Sequence, residues 1–361
     1  MSVNESSVQE ALRKLVDPNT GKDFVATRSV KNVKVTGNDV SLAIELGYPG
    51  KSQHEPIRRQ VIQAVKDAGA GNVAVTVTSK VVAHAVQRGV KLVPGIKNII
   101  AVASGKGGVG KSTTAVNLAL ALSAEGASVG MLDADIYGPS QPTMLGIAGR
   151  PESKDGKRIE PMQGHGLQAS SIGFLIDVDT PMVWRGPMVT QALEQLLKDT
   201  NWSELDYLVV DLPPGTGDIQ LTLAQKVPVT GAVIVTTPQD IALIDARKGL
   251  KMFEKVGIPI LGVVENMSFH VCPQCGHESH IFGKGGAARM SQDYKTELLG
   301  QLPLDESIQQ QADSGRPTVV SDPDGKIAEI YKRIARRVAV KIAESQRDMT
   351  SKFPNIVVQN T

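Results

Sequence analysis

The sequence has little of several residue types that mark specialised classes of protein. Its 361 residues include two cysteines, and aromatic residues make up only 4%. A membrane-crossing helix needs about 20 apolar residues in succession, and no apolar segment of the sequence approaches this length. The net charge of +2 is far below the basic excess of a dedicated nucleic-acid-binding domain. We therefore expect a protein that neither crosses a membrane nor binds nucleic acid.

The first residues, MSVNESSVQEALRKLVDP, also lack the features of a targeting signal. No basic segment precedes an apolar block, and Glu5 and Glu10 argue against an organellar transit peptide. These features predict a cytoplasmic location. A structural disulfide between Cys272 and Cys275 is then unexpected, because the cytoplasm is reducing.

The chain is longer than one average domain, and its pattern changes near residue 90. Residues 1–90 predict a small α+β domain with two helices and three strands. Residues 91–98, which contain a Pro-Gly pair, predict a linker. Residues 99–346 alternate short apolar strands with helices, which favours an α/β fold with a mostly parallel sheet covered by helices on both faces. A polar tail, residues 347–361, follows.

The turn after the first strand of this larger domain carries a phosphate-binding motif. In ASGKGGVGKSTTA, Gly105, Gly110, Lys111 and Ser112 match G-x-x-x-x-G-K-[ST] between a strand and a helix. The glycines let backbone N–H groups face phosphate oxygens, and the helix N-terminus adds a positive dipole end. We expect Lys111 to reach the β- and γ-phosphates of ATP and Ser112 to hold Mg²⁺. The nucleotide-binding set is Gly105, Lys106, Gly107, Gly108, Val109, Gly110, Lys111, Ser112 and Thr113.

The same glycines also fit the dinucleotide-binding pattern G-x-G-x-x-G, with Asp133 as a candidate ribose ligand. A dinucleotide-binding fold does not require Lys111 and Ser112 at these positions, whereas a nucleoside triphosphatase requires both. The sequence therefore predicts a P-loop NTPase.

Carboxylates follow two further predicted strands. Asp133 and Asp135 end MLDAD, and Asp211 ends DYLVVD. Strand ends converge on the ligand crevice of such a sheet, where carboxylates can hold the waters of a metal ion or orient the attacking water. Each could instead cap a helix. Lys106, inside the loop, could compensate phosphate charge in its own or a neighbouring subunit, or be an exposed loop lysine.

With these motifs in place, the chain resembles a known class of proteins. GKGGVGKST, with its early lysine, is similar to the deviant phosphate loop of the MinD/ParA/nitrogenase-iron-protein class of dimeric ATPases. The strings LDADIYGPSQPTMLG, VDLPPGTGDIQLTL, TTPQDIALIDARKGL and GVVENMS followed by CPQCG resemble the Mrp/ApbC branch, the ATP-binding iron–sulfur cluster carriers. The N-terminal segment ALRKLVDPNTGKDF resembles a small domain of other iron–sulfur assembly factors.

The resemblance implies roles for individual residues. Lys106 is expected to reach across an ATP-sandwiched homodimer, and Asp135 to lie in the first switch and help activate water. Asp211 is expected to end the Walker B strand, and Asn266 to read adenine. Slow ATP hydrolysis is then the switch of a carrier that receives a cluster from scaffold proteins and transfers it to apo-proteins.

Both cysteines lie in one loop, CPQCGHESH, as Cys272 and Cys275. The resemblance implies that two subunits each contribute this pair to a bridging [4Fe–4S] cluster. The spacing alone also fits a zinc knuckle completed by His277 and His280, or a redox Cys-x-x-C.

Two other functions therefore stay open. A MinD/ParA-type positioning protein with a structural zinc knuckle could use the amphipathic, basic segment IYKRIARRVAVKI at a membrane. An ATP-driven reductase would keep its cluster and pass electrons.

Overall fold

The fold consists of a small N-terminal unit and a larger α/β unit. The computed structural model describes residues 3–84, 90–176 and 186–345, apart from the side chains of residues 218 and 219. The predicted tail, residues 347–361, lies outside this range. The helices are α1 (Glu5–Arg13), α2 (His54–Asp67), α3 (Lys111–Ala124), α4 (Gln141–Met144), α5 (Gly186–Asp199), α6 (Asp218–Lys226), α7 (Asp240–Lys255), α8 (Gly286–Asp293), α9 (Glu306–Asp313), α10 (Thr318–Ser321) and α11 (Lys326–Glu344). The strands are β1 (Val30–Thr36), β2 (Asp39–Leu46), β3 (Val73–Ser79), β4 (Ile96–Ala103), β5 (Val129–Asp133), β6 (Met162–Gly164), β7 (Leu167–Ser171), β8 (Leu205–Asp211), β9 (Gly231–Thr236), β10 (Ile260–Val271), β11 (Glu278–Ser279) and β12 (Leu298–Pro303).

The N-terminal unit is a three-stranded sheet in the order β1-β2-β3 with two helices. Strand β1 is antiparallel to β2, and β3 is parallel to it. In α2, Ile57, Val61 and Val65 are buried at four-residue spacing, so one face of the helix meets the sheet. This arrangement matches the small α+β domain predicted from the sequence.

The larger unit is built on a nine-stranded sheet. Its strand order is β11-β10-β9-β4-β8-β5-β7-β6, and β12 pairs with β10. All pairings are parallel except those of β6 with β7 and β11 with β10. Helices α3 and α11 contribute to the hydrophobic cluster on one face, and α5, α6, α7 and α8 to the cluster on the other. The predicted fold class is therefore confirmed.

Two boundaries differ from the sequence prediction. Strand β4 begins at Ile96, inside the segment 91–98 predicted as a linker, because Ile96 already pairs with Leu205 of β8. Strand β10 continues to Val271, because its last residues pair with the short strand β11, which the apolar pattern did not reveal.

A buried ion pair of the larger unit also binds residues of the N-terminal unit. Arg336 of α11 donates from Nη1 to Glu125 Oε1 (2.5 Å) and from Nη2 to Glu329 Oε1 (2.7 Å). Glu125 ends the phosphate-loop helix α3, and it also accepts hydrogen bonds from the backbone N–H and hydroxyl of Ser52 in the N-terminal unit. Asn19 of that unit accepts from Arg336 Nε (3.3 Å). The small unit is thus fixed to the far end of α3.

Among the described helices, none combines the length and apolar character needed to cross a membrane.

Candidate functional site

The phosphate loop connects the end of β4 to the start of α3. Gly110, the residue before α3, has φ 78°, in the left-handed region that favours glycine. A Cβ at Gly110 would overlap Asn266 Nδ2, and one at Gly105 would overlap the backbone of Asp245. Tertiary packing therefore requires glycine at both positions, and at Gly110 the backbone conformation requires it as well.

The Lys111 ammonium lies in a pocket of carboxylates. The Lys111 side chain is only 6% exposed, and its Nζ lies 2.5 Å from Asp211 Oδ1 and 3.8 Å from Asp135 Oδ2. It also donates to Ser112 Oγ (3.1 Å). Asp133 and Asp211 are neighbours across the β5–β8 pairing. The structure thus brings together the lysine and the three carboxylates singled out from the sequence.

Burial and the charge of a neighbouring carboxylate raise the pKa of two of these residues, Asp133 and Asp135. Burial, and then the charge of Asp211, raise the pKa of Asp133 to about 7. Burial is also the main cause that raises the pKa of Asp135, while the nearby Lys111 partly opposes it. One lysine therefore faces more carboxylate charge than it can balance, which favours an additional cation at this place.

Gln141, at the start of α4, completes this cluster and was not found from the sequence. Its Nε2 donates to Asp211 Oδ2 (2.9 Å) and to the Ser112 carbonyl (3.2 Å), and its backbone N–H donates to Asp133 Oδ2 (3.1 Å). Its Oε1 is buried and has no hydrogen-bond partner among the described residues. No local signal marks this glutamine, because its contacts depend on the ends of two strands and on the first turn of α3.

A cavity of about 250 Å³ opens beside the phosphate loop. Its lining includes Gly108, Gly110, Asn266, Met267 and Leu304. Asn266 Nδ2 donates to the Val109 carbonyl of the loop (2.9 Å). The position of Asn266 suits contact with a nucleotide base, and its role as adenine reader stays a prediction.

Lys106 is half-buried in the loop. Within the described part of the chain, no carboxylate forms an ion pair with it. Its expected reach into a partner subunit stays a prediction.

The two cysteines lie in a tight knuckle between β10 and β11. The Cys272 N–H donates to the His277 carbonyl (2.9 Å), and the Gly276 N–H donates back to the Cys272 carbonyl (2.8 Å). Both cysteines are free thiols, and Cys275 is exposed. The backbone N–H groups of Cys275 and Gln274 hold the pKa of the Cys272 thiol below its ordinary value. The knuckle therefore favours a thiolate that is open to a soft metal.

The neighbouring histidines do not complete a four-ligand zinc site. His280 uses Nδ1 to bond the Ser268 carbonyl (2.9 Å), and its Nε2 lies 3.6 Å from Glu278. His277 is exposed. The residues that the structure describes include no cluster of three or more His, Cys, Asp or Glu side chains able to hold a metal. Each chain thus offers two thiols at this place.

Comparison with protein families finds two matches. Residues 95–339 match the family described as NUBPL iron-transfer P-loop NTPase. Residues 5–78 match the family described as iron-sulfur cluster assembly protein. The matched ranges correspond to the larger and the N-terminal unit.

Several curated proteins are similar to this chain over most of its length. The iron-sulfur cluster carrier protein of Escherichia coli is 63% identical over 249 residues, covering 69% of this chain and 68% of its own. The carrier protein of Haemophilus influenzae is 48% identical over 340 residues, covering 94% and 92%. The mouse iron-sulfur cluster transfer protein NUBPL is 51% identical over 257 residues, covering 71% and 81%.

Solved structures show the same fold in the larger unit. The nucleotide-binding protein of Archaeoglobus fulgidus, in complex with ADP, is 38% identical with a TM-score of 0.56, covering 64% of this chain and 90% of its own. The cell division ATPase MinD of Pyrococcus furiosus has a TM-score of 0.51 at 23% identity, covering 67% and 98%, which supports the fold alone.

Proposed function

The chain belongs to the iron-transfer P-loop NTPase family, and from this premise we propose that it is an ATP-hydrolysing carrier of iron–sulfur clusters. In this proposal a homodimer binds a [4Fe–4S] cluster as cargo and transfers it to apo-proteins in the cytoplasm. The observation that carries the proposal is that a knuckle with only two thiols shares one chain with a phosphate loop. Because a cubane cluster needs four thiolates, two chains must meet to bind it.

ATP binding would displace an existing contact. Lys111 now pairs with Asp211, and the phosphates of ATP would offer its ammonium a stronger partner. The N-terminus of α3 and the loop N–H groups would bind the same phosphates. Lys106 would then be free to approach the phosphates in the partner subunit.

The residues around Lys111 fit a Mg²⁺ ion. Ser112 and Asp211 offer the oxygen ligands that Mg²⁺ prefers, and the unpartnered Oε1 of Gln141 could accept a hydrogen bond from a metal-bound water. When bound, the ion would neutralise charge on the β- and γ-phosphate oxygens. Asp135, whose pKa burial raises, would orient and deprotonate the attacking water.

An exposed apolar surface supports contact between two chains near the phosphate loop. Helix α7, whose backbone touches Gly105, leaves Ile241 and Ile244 71% and 51% exposed. Burying these side chains against a second copy would bring Lys106 to the subunit boundary. Nucleotide state and cluster binding would then depend on the same dimer.

The alternative of a membrane-positioning protein finds less support. The apolar face of α11 packs against α3 and β12, so it is not free to enter a bilayer. Its buried residues include Tyr331, Ile334, Ala335, Val338, Ala339 and Ile342. A reductase function differs in that the cluster would stay bound during ATP turnover.

The test is metal analysis of anaerobically purified protein together with ATP turnover. We expect about four irons and four sulfides per dimer and a broad absorbance near ~400 nm, both lost in Cys272→Ala. Lys111→Ala should retain the fold and lose ATP turnover. One zinc per chain in a colourless protein, or full turnover in Lys111→Ala, would contradict the proposal. Transfer to an apo-ferredoxin, against retention of the cluster, separates carrier from reductase.

A further inference from the structure

One strand joins the nucleotide side of the site to the cysteine knuckle. Strand β10 includes Asn266, which contacts the phosphate loop, and ends at Val271, directly before Cys272. Six residues lead from Asn266 to Cys272, so at about 3.3 Å per residue they span at most roughly 20 Å. The two halves of the site are therefore connected by a short, continuous stretch of backbone.

The middle of this stretch bulges out of the sheet. Glu265 of β10 pairs with Gln301 of β12, and the next pair is Phe269 with Pro303. Residues 266–268 thus face a single residue of β12. Met267, at the centre, has φ 54°, a backbone conformation that is rare for residues other than glycine. Bulges of this kind re-aim side chains next to active sites.

The bulge contacts both halves of the site. On one side, Asn266 Nδ2 donates to the Val109 carbonyl. On the other, the Ser268 carbonyl accepts a hydrogen bond from His280 Nδ1, five residues after Cys275. If a bound nucleotide displaced Asn266, the hydrogen bond between Ser268 and His280, next to the knuckle, would therefore shift as well.

A buried carboxylate holds the bulge in this shape. Glu265 is 0% exposed, and its Oε1 accepts the Ala287 N–H (2.8 Å). Its Oε2 accepts from Ser268 Oγ (2.6 Å) and Gln301 Nε2 (2.7 Å). Ser268 is thus hydrogen-bonded both to Glu265, directly before the bulge, and to His280, directly after β11.

We propose that Glu265 is a positioning residue that couples nucleotide binding to the cysteine knuckle through Ser268. The inference rests on the proposed function and specifies how its two halves communicate. Glu265 touches neither nucleotide nor cluster, and it acts by tying the Asn266 end of the bulge to the Ser268 end. Weakening the hydrogen bonds of Glu265 should leave the nucleotide site and the cysteine knuckle in place. The knuckle should then no longer respond to nucleotide binding.

The test measures how Mg·ADP changes the rate at which a thiol reagent modifies Cys272 and Cys275 in the full chain. The protein is kept metal-free at its knuckle and dilute enough to be monomeric, so dimer formation does not contribute. We expect ADP to change the wild-type rate several-fold. Ser268→Ala and Glu265→Gln should bind ADP within about threefold of wild type and lose most of this response. Ser279→Ala, in the same hairpin, should keep it.

Hydrogen exchange of the amides at 268–280 gives a second readout that does not depend on thiol chemistry. A full ADP response in folded Ser268→Ala and Glu265→Gln would overturn the inference, as would ADP binding to wild type with no response. Absence of ADP binding, or of iron in the purified wild type, would instead contradict the proposed function. Thermal melts of both variants establish that they fold.

Discussion

Replacing Arg336 by methionine should lower the free energy of unfolding far more than the same replacement of Arg333, an exposed arginine on the same helix. The Arg336 side chain is 6% exposed, and its main partner, Glu125, is 1% exposed. Methionine keeps much of the apolar stem and removes the guanidinium. Among the described residues, the Glu125 carboxylate then keeps two side-chain hydrogen bonds, both from Ser52.

The size of the effect follows from leaving a buried charge without its partner. Removing one member of a buried ion pair costs about 3–5 kcal/mol. At about 2–4 °C per kcal/mol for a unit of this size, the melting temperature should fall by roughly 10 °C. The loss should appear first as separation of the N-terminal unit, because Arg336 also bonds Asn19 and Ser52.

Urea unfolding of the full chain, with limited proteolysis between the units, measures this effect. Arg333→Met, an exposed position on the same helix, is the matched control and should change the unfolding free energy by less than about 0.5 kcal/mol. Adding Glu125→Gln to Arg336→Met should recover a large part of the loss, since it removes the unpaired charge. Equal stability of Arg336→Met and Arg333→Met would refute the reasoning.

Two further predictions concern the nucleotide site. Gly110→Ala should weaken ADP binding and lower stability by about 1–3 kcal/mol, because it forces a side chain into a left-handed conformation and against Asn266. Gly107→Ala, whose new methyl group would meet no protein atom within 4 Å, is the control for stability. Equal unfolding free energies of the two variants would contradict the prediction. The pKa of Asp133 is raised to about 7, so the folded state holds a proton that the unfolded chain releases near pH 4. Wild type should therefore lose stability relative to Asp133→Asn as the pH rises from about 4 to about 7; parallel urea midpoints across this range would show that Asp133 does not titrate there.

Much of this protein could be predicted from local sequence patterns. The phosphate loop is a contiguous motif, so its residues and the flanking strand and helix are recognisable together. A parallel sheet could be predicted from the apolar segments that form β4, β5, β8, β9, β10 and β12, because strands buried on both faces must be apolar throughout. The short strands β6 and β11 and the extension of β10 have no such pattern, because they form by pairing with distant partners.

The sequence by itself determined the fold class, the phosphate-binding loop and the presence of a two-thiol knuckle, since each is written in neighbouring residues. Only the tertiary structure decided which side chains surround them. Arg336 meets Glu125 across 211 positions, and Gln141 reaches Asp211 across 70. Glu265 closes its bulge through Gln301, 36 residues away. Such buried polar contacts depend on how strands and helices are brought together, and no local periodicity records them.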